Sequence, residues 1–203
     1  MKKMFRNVLI CAMVALAAFL WGLLRQRQTL ASNLVRLHVV ANSDSEEDQR
    51  IKLQVRDAVL ESLSRELENV TDPELAKQYI RENLPRIARA ANETLAMLGC
   101  PEDARVSLEE MYFDTRHYDT FSLPAGIYQA LRITIGAGAG KNWWCVVYPD
   151  FCIGADREDF SRKAVEAGLS EPLVKTLEGE ETYEIRFFLL EMLGKLGHWL
   201  RKG

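Results

Sequence analysis

The segment GAGAGK at residues 136–141 is the part of the chain most like a phosphate-binding loop. Such a loop places four residues between its first glycine and a Gly-Lys pair, follows with Ser or Thr, and opens a helix. Here three residues separate Gly136 from Gly140, Asn142 takes the hydroxyl position, and the run Trp143–Tyr148 reads as a strand. The spacing therefore predicts a tight turn between strands. Asn42, Asp44, Glu46 and Asp48 alternate oxygen-bearing side chains as a calcium loop does, but Glu47 stands where such a loop needs glycine. Ser45 followed by three acids predicts instead a helix N-cap with a negative first turn.

The three histidines, His38, His117 and His198, lie far apart with no HExxH pair, and no Cys/His spacing suits zinc, so neither metal nor cofactor is expected. His38 sits in the apolar run Leu34–Val40, where a histidine serves as a hydrogen-bonded core group. Cys145 with His38 or His117 has the residue types of a thiol dyad, but nothing beside Cys145 in sequence would hold a thiolate. Ser122 is in no nucleophile-elbow context. Trp143 and Trp144 are adjacent on a strand and so point to opposite faces. One is expected in the core, the other either beneath the C-terminal helix or exposed as an anchor for a partner. Cys145 and Cys152 flank Tyr148-Pro149-Asp150, a turn that joins them in a disulfide if the compartment is oxidising, or leaves two buried thiols if not. Cys11 and Cys100 have no evident partner.

The elements that must position these groups follow from periodicity. Residues 8–24 carry no charge behind the basic start MKKMFR, and as a helix they span roughly 26 Å, close to the thickness of a bilayer core. That segment is read as an export element, either a membrane anchor or a cleaved signal peptide. Leu34–Val40 reads as a strand buried on both faces. Ile51, Val55, Ala58, Val59, Leu63 and Leu67 form a helical stripe, with Asp48/Lys52 and Glu61/Arg65 expected as surface pairs. Thr71-Asp72-Pro73-Glu74 starts another helix, Pro85 ends or kinks it, and Gly99 closes the next.

Beyond Pro101 the period becomes two. Strands are expected around Val106–Tyr112, Ile127–Ile135 and Trp143–Tyr148, forming an antiparallel meander. The pairing partner of the first strand stays open. Residues 150–180 yield no clear element, and a last helix follows on Ile185, Phe188, Leu189, Met192, Leu196 and Trp199. The expected fold is α+β: a small, mostly antiparallel sheet of about four strands packed against helices. An export segment (1–32) precedes a single domain (33–203) outside the cytoplasm. Of 26 basic residues five precede residue 34, and none of the 29 acidic ones does, leaving the body near −8. A surface that acidic argues against nucleic-acid binding.

Two segments, LHVVANSDSEEDQRIKLQVRDAV (37–59) and LPAGIYQALRITIGAGAGKNWWCVVYPDFC (123–152), resemble the stage II sporulation protein R family of endospore-forming bacteria. The resemblance implies a signalling protein, not an enzyme. Such proteins are exported from the forespore into the space between the two sporulation membranes. There they activate a membrane-embedded aspartic protease, which processes the precursor of the early mother-cell sigma factor. The matching positions His38, Asn42, Asp44, Asp48, Lys52, Asp57, Gly126, Asn142, Trp143, Trp144 and Cys145 bring no assigned roles with them. Partner contacts are expected from Asn42, Asp44 and Asp48 and from the exposed member of Trp143 and Trp144. Replacing the turn residues should then stop signalling without lowering stability. The competing class is an exported, wall-acting hydrolase using His38 with a nearby carboxylate.

Overall fold

A continuous apolar run is shielded on both sides only in the interior of a covered sheet, and β1 (Val35–Val40) lies there with all of its residues buried. It runs parallel to β5 (Gly126–Ile135) on one side and antiparallel to β6 (Asn142–Tyr148) on the other. β2 (Ala104–Phe113) pairs antiparallel with β5, so the order is β2-β5-β1-β6. The fold is α+β as expected, with a mixed, mostly antiparallel sheet. The expected meander is corrected: β5 and β6 are not neighbours, because β1 is inserted between them. A two-stranded ribbon, β3 (Arg116–His117) with β4 (Ser122–Leu123), interrupts the passage from β2 to β5. The computed structural model describes residues 2–67, 70–152, 157–179 and 184–202.

One face of the sheet is covered by α2 (Glu46–Leu67), α3 (Pro73–Glu82) and α4 (Leu84–Met97). Ser45 caps α2, its hydroxyl accepting the Asp48 N–H at 3.1 Å. Asp72 caps α3 through the Glu74 N–H at 2.8 Å. Pro85 falls in the first turn of α4, where its missing N–H is harmless, so it separates two helices and does not kink one. Gly99 closes α4 at φ +68°, and the Cys100 N–H returns to the Leu95 carbonyl at 3.0 Å. The α2 stripe packs on Val35, Leu37 and Val39 of β1 and on Leu131, Ile133 and Ile135 of β5. Each large side chain so buried is worth ~1.5–3 kcal/mol. Lys52, expected on the surface beside Asp48, is instead buried.

The opposite face carries Phe113, Tyr128, Ala130 and Val146 under α5 (Arg157–Glu166), α6 (Glu171–Leu177) and α7 (Glu184–Lys202). α5 and α6 occupy the stretch whose sequence showed no element. They are ten and seven residues long and carry only short apolar stripes, Phe160 and Ala164 in α5 and Leu173, Val174 and Leu177 in α6. Periodicity has too few turns there to register.

α1 runs unbroken from Lys2 to Asn33 and is long and apolar enough to cross a bilayer. Residues 3–22 are exposed, whereas Leu23 and Leu30 are buried in the same cluster as Phe160 and Leu190. The Asn33 amide donates to the Ala167 carbonyl at 2.7 Å. The boundary expected after residue 32 thus leaves part of the folded body on its far side. Leu30→Ala should lower the unfolding free energy by about 2–5 kcal/mol in a urea titration in detergent. Val14→Ala, on the exposed apolar run, should shift it by less than about 0.5 kcal/mol.

Candidate functional site

Because β1 separates β5 from β6, residues 136–141 must cross over its C-terminal end, and there they meet the turn that leads into α2. The backbone is locked first: the Ala139 N–H donates to the Asn42 carbonyl at 3.1 Å and the Gly140 N–H to the Ala41 carbonyl at 3.0 Å. The side chains then close around it. Asn42 Oδ1 accepts from the Ala137 N–H at 3.0 Å, and its amide donates to Asp48 Oδ2 at 3.2 Å. Ser43 Oγ donates to the same Asp48 oxygen at 2.5 Å, and Asp44 Oδ1 accepts the Lys141 N–H at 2.7 Å. Lys52 Nζ reaches the Lys141 carbonyl at 3.0 Å and Gln49 Oε1 at 2.6 Å.

The glycines are required by this approach. At Gly136, φ is +53° and an added Cβ would stand 2.4 Å from Asn42 Oδ1; at Gly140 it would stand 2.1 Å from the Ser43 carbonyl oxygen. The oxygens of Asn42, Asp44 and Asp48, three of the four that look like a calcium loop, are therefore occupied by N–H and O–H donors. The Ser43 hydroxyl holds the Asp48 carboxyl below its ordinary value, helped by the Asn42 amide and the Ser45 hydroxyl. Burial pushes the Lys52 ammonium down, against the favourable charge of Asp44.

Next to this clasp the two tryptophans diverge to opposite faces, Trp143 packing on the cluster under α2–α4 and Trp144 on the cluster that holds Leu190 of α7. Trp144 stacks on His38 (3.7 Å between ring centroids, 9° apart), with Phe113 edge-on at 5.0 Å and the Arg116 guanidinium 5.3 Å over its ring. Trp143 lies under the Arg56 guanidinium at 4.2 Å, and Arg56 pairs with Asp57 at 2.7 Å. Both indoles are half-buried under cations, an arrangement worth ~0.5–2 kcal/mol each. Sequence reasoning missed these cationic caps, and also Arg36. That side chain is fully buried in β1, 4.1 Å over Phe113 and 5.2 Å over Tyr128, and donates from Nη2 to the Tyr118 hydroxyl at 2.8 Å. Its signal was visible: a charge inside a strand otherwise read as buried on both faces must find such a cradle.

His38, Asn42, Asp44, Asp48, Lys52, Asn142, Trp143, Trp144 and Cys145 are thus gathered at one end of the sheet, and Asp57 joins them through Arg56. Gly126 lies at the opposite end of β5. His38 Nε2 is 2.8 Å from Asn142 Oδ1, and its Nδ1 is buried without a partner among the described residues. Burial holds the His38 ring below its ordinary pKa, and the charge of Arg132 acts in the same direction. Asp44 is committed to Lys141 and not to His38. Cys145 is joined to Cys152 in a disulfide, so its sulfur is not a thiol beside His38 or His117. Closing so short a loop removes roughly 2–3 kcal/mol of unfolded-state entropy. His117 Nδ1 meets Ser122 Oγ at 2.8 Å as a cross-strand pair on the exposed ribbon. A cleft of about 760 Å³ opens on the far side of the disulfide turn, with Leu60, Leu63, Val147 and Tyr148 among its apolar lining and Glu61 and Arg162 among its charged.

The family model described as stage II sporulation protein R matches residues 31–158, the span that holds the clasp, both tryptophans and the disulfide. The chain is also 31% identical over 222 aligned residues to stage II sporulation protein R of Bacillus subtilis (strain 168), covering 95% of this chain and 99% of that one. This chain belongs to the stage II sporulation protein R family. Membership carries a role in sporulation with it. No solved structure matches the chain. The family model ends at residue 158, at the start of α5, so α6 and α7 lie beyond it.

Within this stage II sporulation protein R family member, the internal bonding of Asn42, Asp44 and Asp48 changes the expectation that they can be replaced without cost. Asn42→Ala removes the acceptor of the Ala137 N–H and a donor to Asp48, and should lower the unfolding free energy by about 0.5–1.5 kcal/mol in chemical denaturation. The His38 ring is held neutral in the fold, whereas the unfolded ring takes up a proton near its ordinary value of about 6.5. Stability is therefore full above that pH and declines as pH falls below it toward the depressed folded value. His38→Gln should flatten the decline of melting temperature between about pH 7 and 5 relative to the parent chain.

Proposed function

We propose that this chain is the exported signal that switches on a membrane-embedded aspartic protease, which then processes the precursor of the early mother-cell sigma factor. The reading rests on family membership across nearly the whole length of the curated relative. It is supported by an apolar α1 suited to export, whether as signal peptide or as anchor. The Cys145–Cys152 disulfide, a bond that persists in oxidising compartments, points the same way. The space between the forespore and mother-cell membranes is the compartment this reading assigns.

A folded ligand of this kind acts by differential affinity. It binds the active arrangement of its receptor more tightly than the inactive one and so shifts the population toward it. The clasp suits that role because its shape is fixed by bonds on both loops. In this reading Asn42, Asp44 and Asp48 set the shape, and the half-exposed edges of Trp143 and Trp144 beside the exposed Lys141 and Asn142 supply the contact. Aromatic groups held between rigid neighbours are the usual anchors of protein interfaces.

The decisive experiment expresses the chain, the protease and the sigma-factor precursor together in a host that does not form spores, and follows precursor cleavage by immunoblot. Cleavage should require all three. Trp144→Leu should reduce it at least about tenfold at equal protein level, the loss of one interface anchor. Met97→Ala, exposed on α4, should leave it unchanged. Cleavage that proceeds equally well without the chain overturns the reading.

A further inference from the structure

α7 presents an apolar face that nothing in the described structure covers. Phe188, Met192, Leu196, Trp199 and Leu200 recur at helical spacing along it, and each is 50–70% exposed. A row of large apolar side chains of that length is uncommon on a protein surrounded by water. The helix cannot turn the row inward, because its other face is already used. Leu190 is buried in the second core cluster with Phe187, Leu189 and Leu193 packed on it. Gly194 presses so closely on the Ala125 backbone that a Cβ would stand 1.7 Å from its carbonyl oxygen. His198 stacks on Tyr112 at 3.8 Å, and Arg201 pairs with Glu110 at 3.2 Å.

The position of α7 relative to α1 indicates what covers the row. Arg27 of α1 lies against Gly197, a Cβ there standing 2.7 Å from the guanidinium. Arg27 is three residues beyond Leu24, the last apolar residue of the export segment, which is about 5 Å along a helix. Leu23 is buried in the same cluster as Leu190, so the body is joined flush to the end of the apolar run with no spacer between them. At that junction Trp21 and Leu24 are exposed and the Arg25 guanidinium stands 6.0 Å over the Trp21 ring, the residue types that settle at the boundary of a bilayer. The charges agree: beyond Glu191, which pairs with Lys195 at 2.6 Å, the helix carries His198, Arg201 and Lys202 and no acid.

We propose that α7 is an interfacial helix, lying on the anionic phospholipid surface of the bilayer that receives α1, with Phe188, Met192, Leu196, Trp199 and Leu200 sunk into the boundary between headgroups and acyl chains. Helices that combine an apolar row with basic flanks bind in this way and reach roughly 5–10 Å below the headgroups. On the membrane Lys195, paired with Glu191 in the free body, turns its exposed ammonium to the phosphates while its stem stays in the apolar layer. The body is thereby held by two elements, and its orientation on the membrane is fixed.

The test places an environment-sensitive fluorophore on the full chain at Leu196→Cys or Met192→Cys, with Met97→Cys on α4 as the reference and Cys11 and Cys100 replaced by alanine. Each protein is reconstituted into vesicles of phosphatidylcholine and phosphatidylglycerol whose acyl chains carry bromine. Quenching at 192 and 196 should exceed that at 97 by about threefold or more, and should fall when phosphatidylglycerol is omitted, as binding through an apolar row with basic flanks requires. Equal quenching at all three positions overturns the proposal. So does a blue-shifted but unquenched label at 196, which identifies a second copy or another protein as the cover.

Discussion

The chain leaves β5, passes over the end of β1 and enters β6, and this crossing sets the tolerances at that end of the molecule. A loop laid across a strand end brings two backbones within hydrogen-bond distance. Backbone groups shut away from water between them must then find a partner, since a buried unpaired one costs as much as a lost hydrogen bond. Glycine at 136 and 140 allows the approach, and Asn42, Asp44 and Lys52 supply the partners. The N-cap of α2 is part of the same arrangement, because Asp48, whose N–H is capped by Ser45, also accepts from Asn42 and Ser43. The two sequence segments that mark the family are thus two halves of one structural unit.

A second consequence is the fate of the side chains on β1 and β6. Helices cover both faces of the sheet, so alternate residues have no direct route to water, and the polar ones among them rely on aromatic neighbours. Arg36 lies over Phe113 and Tyr128, His38 on Trp144, and Arg56 over Trp143 from the opposite face. These contacts fix indoles and cations together at the edge of the sheet, where β6 has no further strand beside it. That edge is closed along part of its length by the disulfide turn, where the Phe151 N–H returns to the Val146 carbonyl at 3.2 Å. The same burial lowers the pKa of His38, whose Nδ1 has no partner among the described residues.

The continuity of α1 bears on how such a body is presented. Its apolar stretch is exposed and its last turns are core. An apolar helix that runs unbroken into the domain has no flexible linker to average its position. Asn33 completes the junction by bonding to Ala167, at the end of α5.

Local sequence determined what local physics controls. The caps at Ser45 and Asp72, the stop at Gly99, the burial of Leu34–Val40 on both faces and the α2 stripe all follow from side-chain type and a repeat of two or 3.6 residues. The role of Gly136 and Gly140 as turn residues was legible in the same way. Only the tertiary structure decided that β1 stands between β5 and β6, that Asn42 and Ala137 are partners, and that the two tryptophans are capped by Arg56 and Arg116. These are pairings across tens of residues, and periodicity along a chain carries no record of which distant segment will arrive beside it. The short helices α5 and α6 failed to show for the opposite reason: their few apolar residues acquire meaning only from the sheet they cover. Lys52 makes the distinction most plainly. Its spacing from Asp48 places it one helical turn away, yet the carbonyl of Lys141, delivered by the crossing loop, draws it inward.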